Sequence, residues 1–269
     1  MESQQNNPLF SCLRYLTKNK KCRACSRIIQ WIRHIQPVYW IMALVIALIL
    51  YIIFVPPDFW MDLEFTLKSR TPLIGMLLFF CFLAVSLVWS AGQRIDAAVF
   101  FFFNKRGQRP HWLDRAMSII TEFGNGIVTI WIAVLFYFDV SHNVAYTFIL
   151  SSLVLWLIVE LMKALFRRQR PYTKLLNVRI VGMKARGNSF PSGHTGQAFF
   201  TSTLLLQYFD GGFPISILFY LLAVLVGITR MYMGMHYPRD VLAGAILGIF
   251  WGLVGMTING HMSGLIGKF

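Results

Sequence analysis

Three short groups of reactive side chains lie in the second half of this 269-residue chain. In chain order they are Lys163 with Arg170 and Pro171, then Pro191-Ser192-Gly193-His194, then Arg230 with His236 and Asp240. They contain three cations, two imidazoles, one carboxylate and one Ser-Gly pair. These are the components of phosphoryl transfer without a metal, in which positioning and electrostatic stabilisation supply most of the rate.

Each component has a physical reason to be there. Ammonium and guanidinium groups carry N–H donors that suit a tetrahedral oxyanion. Ser192 and Gly193 at a helix start would add backbone N–H groups and the positive end of the helix dipole. His194 and His236 can supply a nucleophile and a proton donor. Asp240 follows His236 by four residues and can hold that imidazole in one tautomer.

The composition indicates the scaffold that carries these groups. The chain is 57% apolar and 13% charged, whereas about a quarter of the residues in a soluble domain are charged. Apolar runs of about 20 residues can cross a bilayer, and we predict them at 38–55, 72–91, 116–138, 145–165, 193–209, 214–230 and 241–258. Glu122 and the turn signal Gly124-Asn125-Gly126 interrupt the third run, and the fifth is short. The predicted fold is all-α: a polytopic transmembrane helical bundle of six to seven spans.

The segments outside these runs complete the organisation. Gly92–Arg115 has an apolar centre at Ala97–Phe103 that is too short to span, and charges flank it, so we predict a short interfacial helix. We divide the chain into a basic juxtamembrane N-terminus at 1–36, an extra N-terminal span and loop at 37–71, and a membrane domain at 72–269.

The predicted spans gather the reactive groups on one side of the membrane. Consecutive spans alternate direction, so the end of span four and the start of span five share a side with the end of span six and the start of span seven. Those four ends carry all three groups. A single Lys or Arg at a span end is usually a topology anchor or a snorkelling residue, and a lone interfacial His is ordinary. Their conjunction on one side predicts a site.

The spacing within the three groups resembles a known signature. Lys163-(six residues)-Arg170-Pro171, Pro191-Ser192-Gly193-His194 and Arg230-(five residues)-His236-(three residues)-Asp240 are similar to the three motifs of the type 2 phosphatidic acid phosphatase superfamily. The likeness is to its integral-membrane lipid phosphatases rather than its soluble vanadium haloperoxidases, because the motifs lie among spans. It extends from about Pro72 onward. Many members have Ser where this chain has Thr229, which retains the hydroxyl.

The resemblance implies a role for each residue. His236 would be the nucleophile that forms a phosphohistidine, with Asp240 orienting and polarising it. His194 would protonate the leaving oxygen and later activate water. The phosphate oxygens would be held by Lys163, Arg170, Arg230, Ser192 and the backbone N–H of Gly193. Neither a metal nor a cofactor would be required.

The implied substrate is a lipid phosphate or lipid pyrophosphate in the bilayer: a polyprenyl pyrophosphate, phosphatidylglycerol phosphate, phosphatidic acid or a lipid A phosphate. Two alternatives stay open. A lipid phosphotransferase would pass the phosphoryl group to an alcohol other than water. A non-catalytic anion transporter would use the basic cluster for binding without turnover.

Three charged neighbours of the first group receive separate predictions. Glu160 lies one turn before Lys163 within an apolar span, where a carboxylate is costly unless paired, so we predict that it pairs with Lys163 or another cation. Arg167 and Arg168 are assigned to attraction of lipid headgroups.

The N-terminal segment is strongly basic. Seven of its first 36 residues are Lys or Arg, and a span follows, which favours contact with anionic lipid over nucleic-acid binding. Cys22 and Cys25 lack a second Cys/His pair at finger spacing, which favours free thiols over a zinc site.

The side of the membrane that carries the reactive groups has two opposing predictions. The basic loops predict the cytoplasmic side of a cell membrane, whereas the resemblance implies an outer or luminal face. The two agree if 38–55 does not cross. The oligomeric state is left open.

Overall fold

The structure, a computed structural model, describes residues 71–104, 109–139, 142–206 and 212–266. All of them belong to one compact unit, Asp58–Phe269. The predicted span at 38–55, the basic segment at 1–36 and the Cys22/Cys25 pair lie outside the described residues.

The described ranges are helical and contain no strand. The helices are α1 Thr71–Ser86, α2 Ser90–Asn104, α3 His111–Glu122, α4 Gly126–Asp139, α5 His142–Phe166, the four-residue α6 Pro171–Lys174, α7 Gly193–Leu205, α8 Gly212–Tyr232 and α9 Pro238–Ile266. The all-α prediction is confirmed.

Two of the predicted spans are bent. α1 and α2 meet at 98°, and α3 and α4 meet at 54°. The second bend lies at the predicted turn signal, where Asn125 donates to Glu122 at 3.0 Å. The first bend ends α1 five residues before the predicted boundary, and it turns α2 nearly perpendicular to α1. This is the orientation expected of an interfacial helix that follows a span.

The helix predicted as the fifth span is the centre of the bundle. α7 has 13 residues and is therefore about 20 Å long, too short to cross a bilayer alone. All of its residues from Thr195 to Leu205 are buried. Its polar side chains are satisfied inside the protein, since Gln197 donates to Thr129 Oγ1 at 2.8 Å and to Ser152 Oγ at 2.9 Å. Within the predicted span at 193–209 the structure describes a helix from Gly193 to Leu205, which is packed inside the bundle rather than facing lipid.

Glycines allow α7 and α9 to pack closely. A Cβ on Gly248 would collide with the carbonyl oxygen of Gly196, and a Cβ on Gly244 would collide with that of Ser192. The close approach brings the start of α7 against the start of α9, where the second and third reactive groups lie.

The outer surfaces of the bundle are apolar. Exposed large side chains include Phe82 on α1, Trp131 and Phe138 on α4, Trp156 on α5, and Phe213 and Leu218 on α8. Three described helices are long and apolar enough to cross a membrane, and five crossings result if each bent pair counts as one. The chain is an integral membrane protein, but within the described residues the predicted count of six to seven spans is not confirmed.

Candidate active site

The start of α7 is capped by a side chain. Ser192 is the N-cap residue, and its hydroxyl accepts from the Thr195 backbone N–H at 3.5 Å and pairs with the Thr195 hydroxyl at 2.9 Å. The Ser192 backbone N–H donates to the Asp240 carbonyl at 2.9 Å. This bond joins the second reactive group to the third.

A tight turn between α8 and α9 presents His236. The backbone N–H groups of Met235 and His236 donate to the Arg230 carbonyl at 3.0 and 3.3 Å. Gly234 has φ of +84°, and a Cβ there would lie 2.6 Å from the Arg179 carbonyl, so only glycine fits. The turn therefore places His236 beside Arg230 at the end of α8.

The partners of the His236 ring define its tautomer. Nδ1 lies 2.8 Å from the Ser189 carbonyl, which can only accept, so Nδ1 carries the proton. Nε2 lies 3.1 Å from an N–H of Arg170, which can only donate, so Nε2 carries the lone pair. This assignment from the hydrogen-bond network leaves Nε2 as the nucleophilic nitrogen and directs it towards a cation.

Burial also keeps the His236 ring neutral. Its side chain is 3% exposed, and this burial is the main reason that its pKa falls from 6.5 to about 3. Asp240 raises the pKa, and the positive charges of Arg170 and Arg230 lower it. The ring is therefore neutral at neutral pH, with its one proton on Nδ1, before any anion binds.

Asp240 lies behind His236 but does not bond to it directly. Its Oδ2 is 3.8 Å from His236 Nδ1, beyond hydrogen-bond distance. The same oxygen accepts from the Ser189 hydroxyl at 2.5 Å and from the Tyr237 backbone N–H at 2.9 Å. We predicted that this carboxylate holds the imidazole in one tautomer. In the structure the Ser189 carbonyl accepts from Nδ1 instead, and Asp240 acts on the ring through its charge.

Arg168 corrects a sequence prediction. We assigned it to headgroup attraction, but its side chain is 13% exposed and donates to Asp240 Oδ1 at 2.5 Å. It also pairs with Asp96 of α2, and its guanidinium stacks on the Tyr237 ring at 4.3 Å. Arg239 donates to the same Asp96 at 2.8 Å. We call Arg168, Arg239, Asp96 and Asp240 the acid-paired cluster.

Arg170 and Arg230 have no such partners. Arg170 is 4% exposed and donates to the backbone carbonyls of Gly187, Arg186 and Met235 and to His236 Nε2. Arg230 is 5% exposed, and it donates to the Thr121 hydroxyl at 3.1 Å while its Nε has no hydrogen-bond partner. Neither guanidinium forms an ion pair within the described residues. We call Arg170 and Arg230 the unpaired arginines.

Lys163 and His194 complete the site. Lys163 Nζ pairs with Glu160 at 2.7 Å, which confirms the predicted pair, and it lies 3.8 Å from the position that a Cβ on Gly193 would occupy. His194 is half-buried, and its ring has no hydrogen-bond partner within the described residues. It interacts electrostatically with Arg230, His236, Lys163 and Arg170. The structure thus brings all the sequence-predicted site residues to one end of the bundle.

Sequence reasoning missed Ser189, Asp96 and Arg239. No motif marks Ser189, which is three residues before the N-cap of α7. Asp96 in an interfacial amphipathic helix looks like a solvated acid, and its partners are 72 and 143 residues away. Within the described residues, no group of three or more His, Cys, Asp and Glu side chains is arranged to hold a metal ion.

Comparisons with known proteins agree with this architecture. The family model of the PAP2 superfamily matches residues 142–261. The bacitracin transport permease protein BcrC of Bacillus licheniformis is 31% identical over 165 residues, which cover 58% of this chain and 75% of that protein. An undecaprenyl-diphosphatase of Sulfolobus acidocaldarius is 28% identical over 153 residues, covering 55% of this chain and 71% of that protein.

A solved structure shows the same fold. The crystal structure of the first transmembrane PAP2 type phosphatidylglycerolphosphate phosphatase from Bacillus subtilis matches with a TM-score of 0.61 at 24% identity, covering 70% of this chain and 96% of that chain. Fold, sequence and relatives together define a membrane-embedded lipid phosphatase. The chain belongs to the PAP2 superfamily, as the spacing of its motifs predicted.

Proposed function

We propose that this protein hydrolyses a lipid phosphate or lipid pyrophosphate through a phosphohistidine on His236, without a metal ion. One observation carries the proposal: two buried guanidiniums without carboxylate partners lie beside an imidazole whose Nε2 lone pair is directed at one of them. A buried cation is costly unless an anion compensates it. The terminal phosphate of a substrate is such an anion.

In the first half-reaction, His236 Nε2 attacks phosphorus and the bond from phosphorus to the lipid oxygen breaks. His194 gives a proton to that oxygen, so the lipid leaves as an alcohol or as a lipid monophosphate. The unpaired arginines, Lys163 and the backbone N–H groups at the start of α7 stabilise the charge on the equatorial oxygens. Arg170 exchanges its bond with Nε2 for one with a phosphate oxygen.

In the second half-reaction, His194 takes a proton from water, and the hydroxide attacks phosphorus. The phosphorus–nitrogen bond breaks, inorganic phosphate leaves and His236 regains its neutral state. Asp240 stabilises the positive charge that develops on His236 while the phosphorus–nitrogen bond exists. Arg168, which also pairs with Asp96, holds Asp240 in place.

The proposed substrate is a class of lipids and not one individual lipid. The names of two relatives refer to undecaprenyl diphosphate and phosphatidylglycerolphosphate, and both substrates present a terminal phosphate on an apolar carrier. The exposed apolar surface of the bundle allows such a carrier to approach from the bilayer. We therefore propose polyprenyl pyrophosphate, phosphatidylglycerol phosphate and phosphatidic acid as the substrates to test first.

The test is phosphate release by the purified full chain in detergent, with this panel of lipids in the presence of EDTA. We expect chelator-insensitive release, and loss of at least about 10³-fold of turnover in His236→Ala. His111→Ala, which removes an exposed imidazole at the start of α3, is the matched control and should retain activity. Release that requires a divalent metal, or an active His236→Ala variant, would refute the proposal.

A further inference from the structure

A second basic cavity lies outside the site around His236. Its volume is about 600 Å³, and it opens between the α1–α2 bend and the segment that follows α5. Its lining includes four cations, Arg94, Arg167, Arg168 and Lys174, and none of its lining residues is acidic. We call it the Arg94 cavity.

The Arg94 cavity is separate from the proposed catalytic residues. His194, His236, Arg170 and Arg230 do not line it. Arg168 and Tyr237 are among its lining residues, and Arg168 also donates to Asp240. One side chain therefore connects the cavity with the Asp240 carboxylate.

Three of its four cations lack a counter-charge. Arg94 and Arg167 form no ion pair within the described residues, and Arg167 Nε donates to the Ala164 carbonyl at 3.2 Å. Lys174 Nζ donates to the neutral Gln93 amide at 2.9 Å and has no acidic partner in the part of the chain that the structure describes. Like charges around one cavity repel each other, so an anion between them is stabilised.

The backbone conformation at Arg167 does not favour an arginine. Arg167 has φ of +45°, a left-handed conformation that glycine or asparagine adopts more readily at a helix end. It follows the last residue of α5, where its backbone N–H donates to the Lys163 carbonyl at 3.1 Å. The guanidinium therefore occupies a position where a smaller residue would be less strained.

The rim of the cavity points to a lipid as the source of the anion. Val88, Trp89 and Leu176 adjoin lining residues and are 87%, 61% and 86% exposed. Tryptophan is enriched at the level of the headgroups. A volume of about 600 Å³ is within the usual range of small-molecule sites. Acyl chains can lie against the apolar rim while a phosphate enters the basic cavity.

We propose that the Arg94 cavity binds the phosphate of an anionic membrane phospholipid, as a site additional to the His236 site. The bound group is a phosphodiester headgroup, which has no terminal phosphate to be removed. Arg168 lines the cavity and also donates to Asp240, so the bound lipid would be connected to the Asp240 carboxylate through this one side chain. The assignment does not depend on hydrolysis, so its test measures binding.

The experiment uses native mass spectrometry of the full chain in detergent, titrated with dioleoylphosphatidylglycerol or dioleoylphosphatidylcholine. The test variant is Arg94→Gln/Arg167→Gln/Lys174→Gln. The charge-matched control is Arg115→Gln/Lys184→Gln/Arg186→Gln, which removes three exposed cations elsewhere. Since each cation near an anionic lipid contributes about 1 kcal/mol, we expect phosphatidylglycerol binding to weaken at least about tenfold in the test variant only.

Three results would overturn the assignment. One is equal weakening in both triple variants, which means diffuse attraction to the whole basic surface. Another is equal binding of the two lipids. The last is inorganic phosphate that binds as tightly as phosphatidylglycerol and depends on the same three residues, which identifies a free anion. If the triple variant does not fold, Arg94→Gln and Lys174→Gln alone, both at exposed positions, should each weaken binding about threefold to fivefold.

Discussion

Arg168, which is partly buried, and Arg230, which is fully buried, lie at the same end of the bundle, and they differ in what compensates their charge. Arg168 donates to Asp240 and pairs with Asp96. Arg230 has the Thr121 hydroxyl and an Nε without a partner. The acid-paired cluster is electrically complete without ligand, whereas the unpaired arginines become complete only when an anion enters. In the proposed mechanism, this difference separates the groups that build the site from the groups that bind the substrate.

The largest contrast is expected from replacing each arginine by methionine, which has similar length and no charge. Arg230→Met should lower kcat/KM by about 10²–10³-fold because a donor to the transition-state oxygens is lost. Its unfolding temperature should stay the same or rise, because an uncompensated buried charge is removed.

Arg168→Met should have the opposite effect on stability. It leaves the buried Asp240 carboxylate without its guanidinium partner, while Asp96 keeps Arg239, at a cost of about 3–5 kcal/mol. Thermal unfolding of both variants in detergent, together with phosphatase kinetics, measures the contrast. If Arg230→Met is the less stable of the two, the distinction between paired and unpaired arginines fails.

A smaller effect is expected from Asp96→Asn. Arg168 and Arg239 would lose their shared acid on α2, so Arg168 would hold Asp240 less firmly. We expect kcat to fall by about tenfold with KM nearly unchanged, because the phosphate-binding cations are intact.

Asp114→Asn is the matched control for this prediction. Asp114 also pairs with an arginine, Arg179, and accepts from the Tyr232 hydroxyl at 2.5 Å, but it does not contact the acid-paired cluster. It should lower stability and leave kcat as it is. A rise in KM without a fall in kcat for Asp96→Asn would show that α2 acts on binding instead.

A further expected effect, on stability alone, is a dependence on pH. The pKa of His236 is about 3 in the folded protein, lowered by burial, against about 6.5 when unfolded. The unfolded chain therefore binds more protons between these values. The stabilising contribution is complete above pH 6.5 and is lost as pH falls towards 3.

His236→Asn removes this proton uptake. From pH 6.5 to 4 the wild-type unfolding free energy should fall more steeply than that of the variant, by up to about 1.4 kcal/mol per pH unit. Urea unfolding in detergent at several pH values measures both slopes. Parallel slopes would mean that His236 is not held neutral by burial.

The sequence predicted the reactive residues and their common end of the bundle, because alternating spans restrict which helix ends can meet. It also predicted the Glu160–Lys163 pair, since partners three residues apart share a helix face. It could not predict which arginines are paired. Arg167, Arg168 and Arg170 look alike in the chain, and the carboxylates that separate them come from α2 and α9.

The burial of α7 was equally beyond the sequence. An apolar stretch of this kind is compatible with a lipid-facing span and with a packed central helix. The decisive interactions are the side-chain bonds of Gln197 to α4 and α5 and the glycine contacts with α9. Both depend on distant segments.

The most direct test of the central claim is to trap the intermediate on His236. In His194→Ala, an aryl phosphate labelled with ³²P can still transfer its phosphoryl group because an aryloxide leaves without a proton donor, but water is no longer activated. We predict an acid-labile, alkali-stable phosphoprotein whose label maps to the peptide that contains His236. Label on another residue, or labelling that persists when His236→Ala is added, would contradict the account.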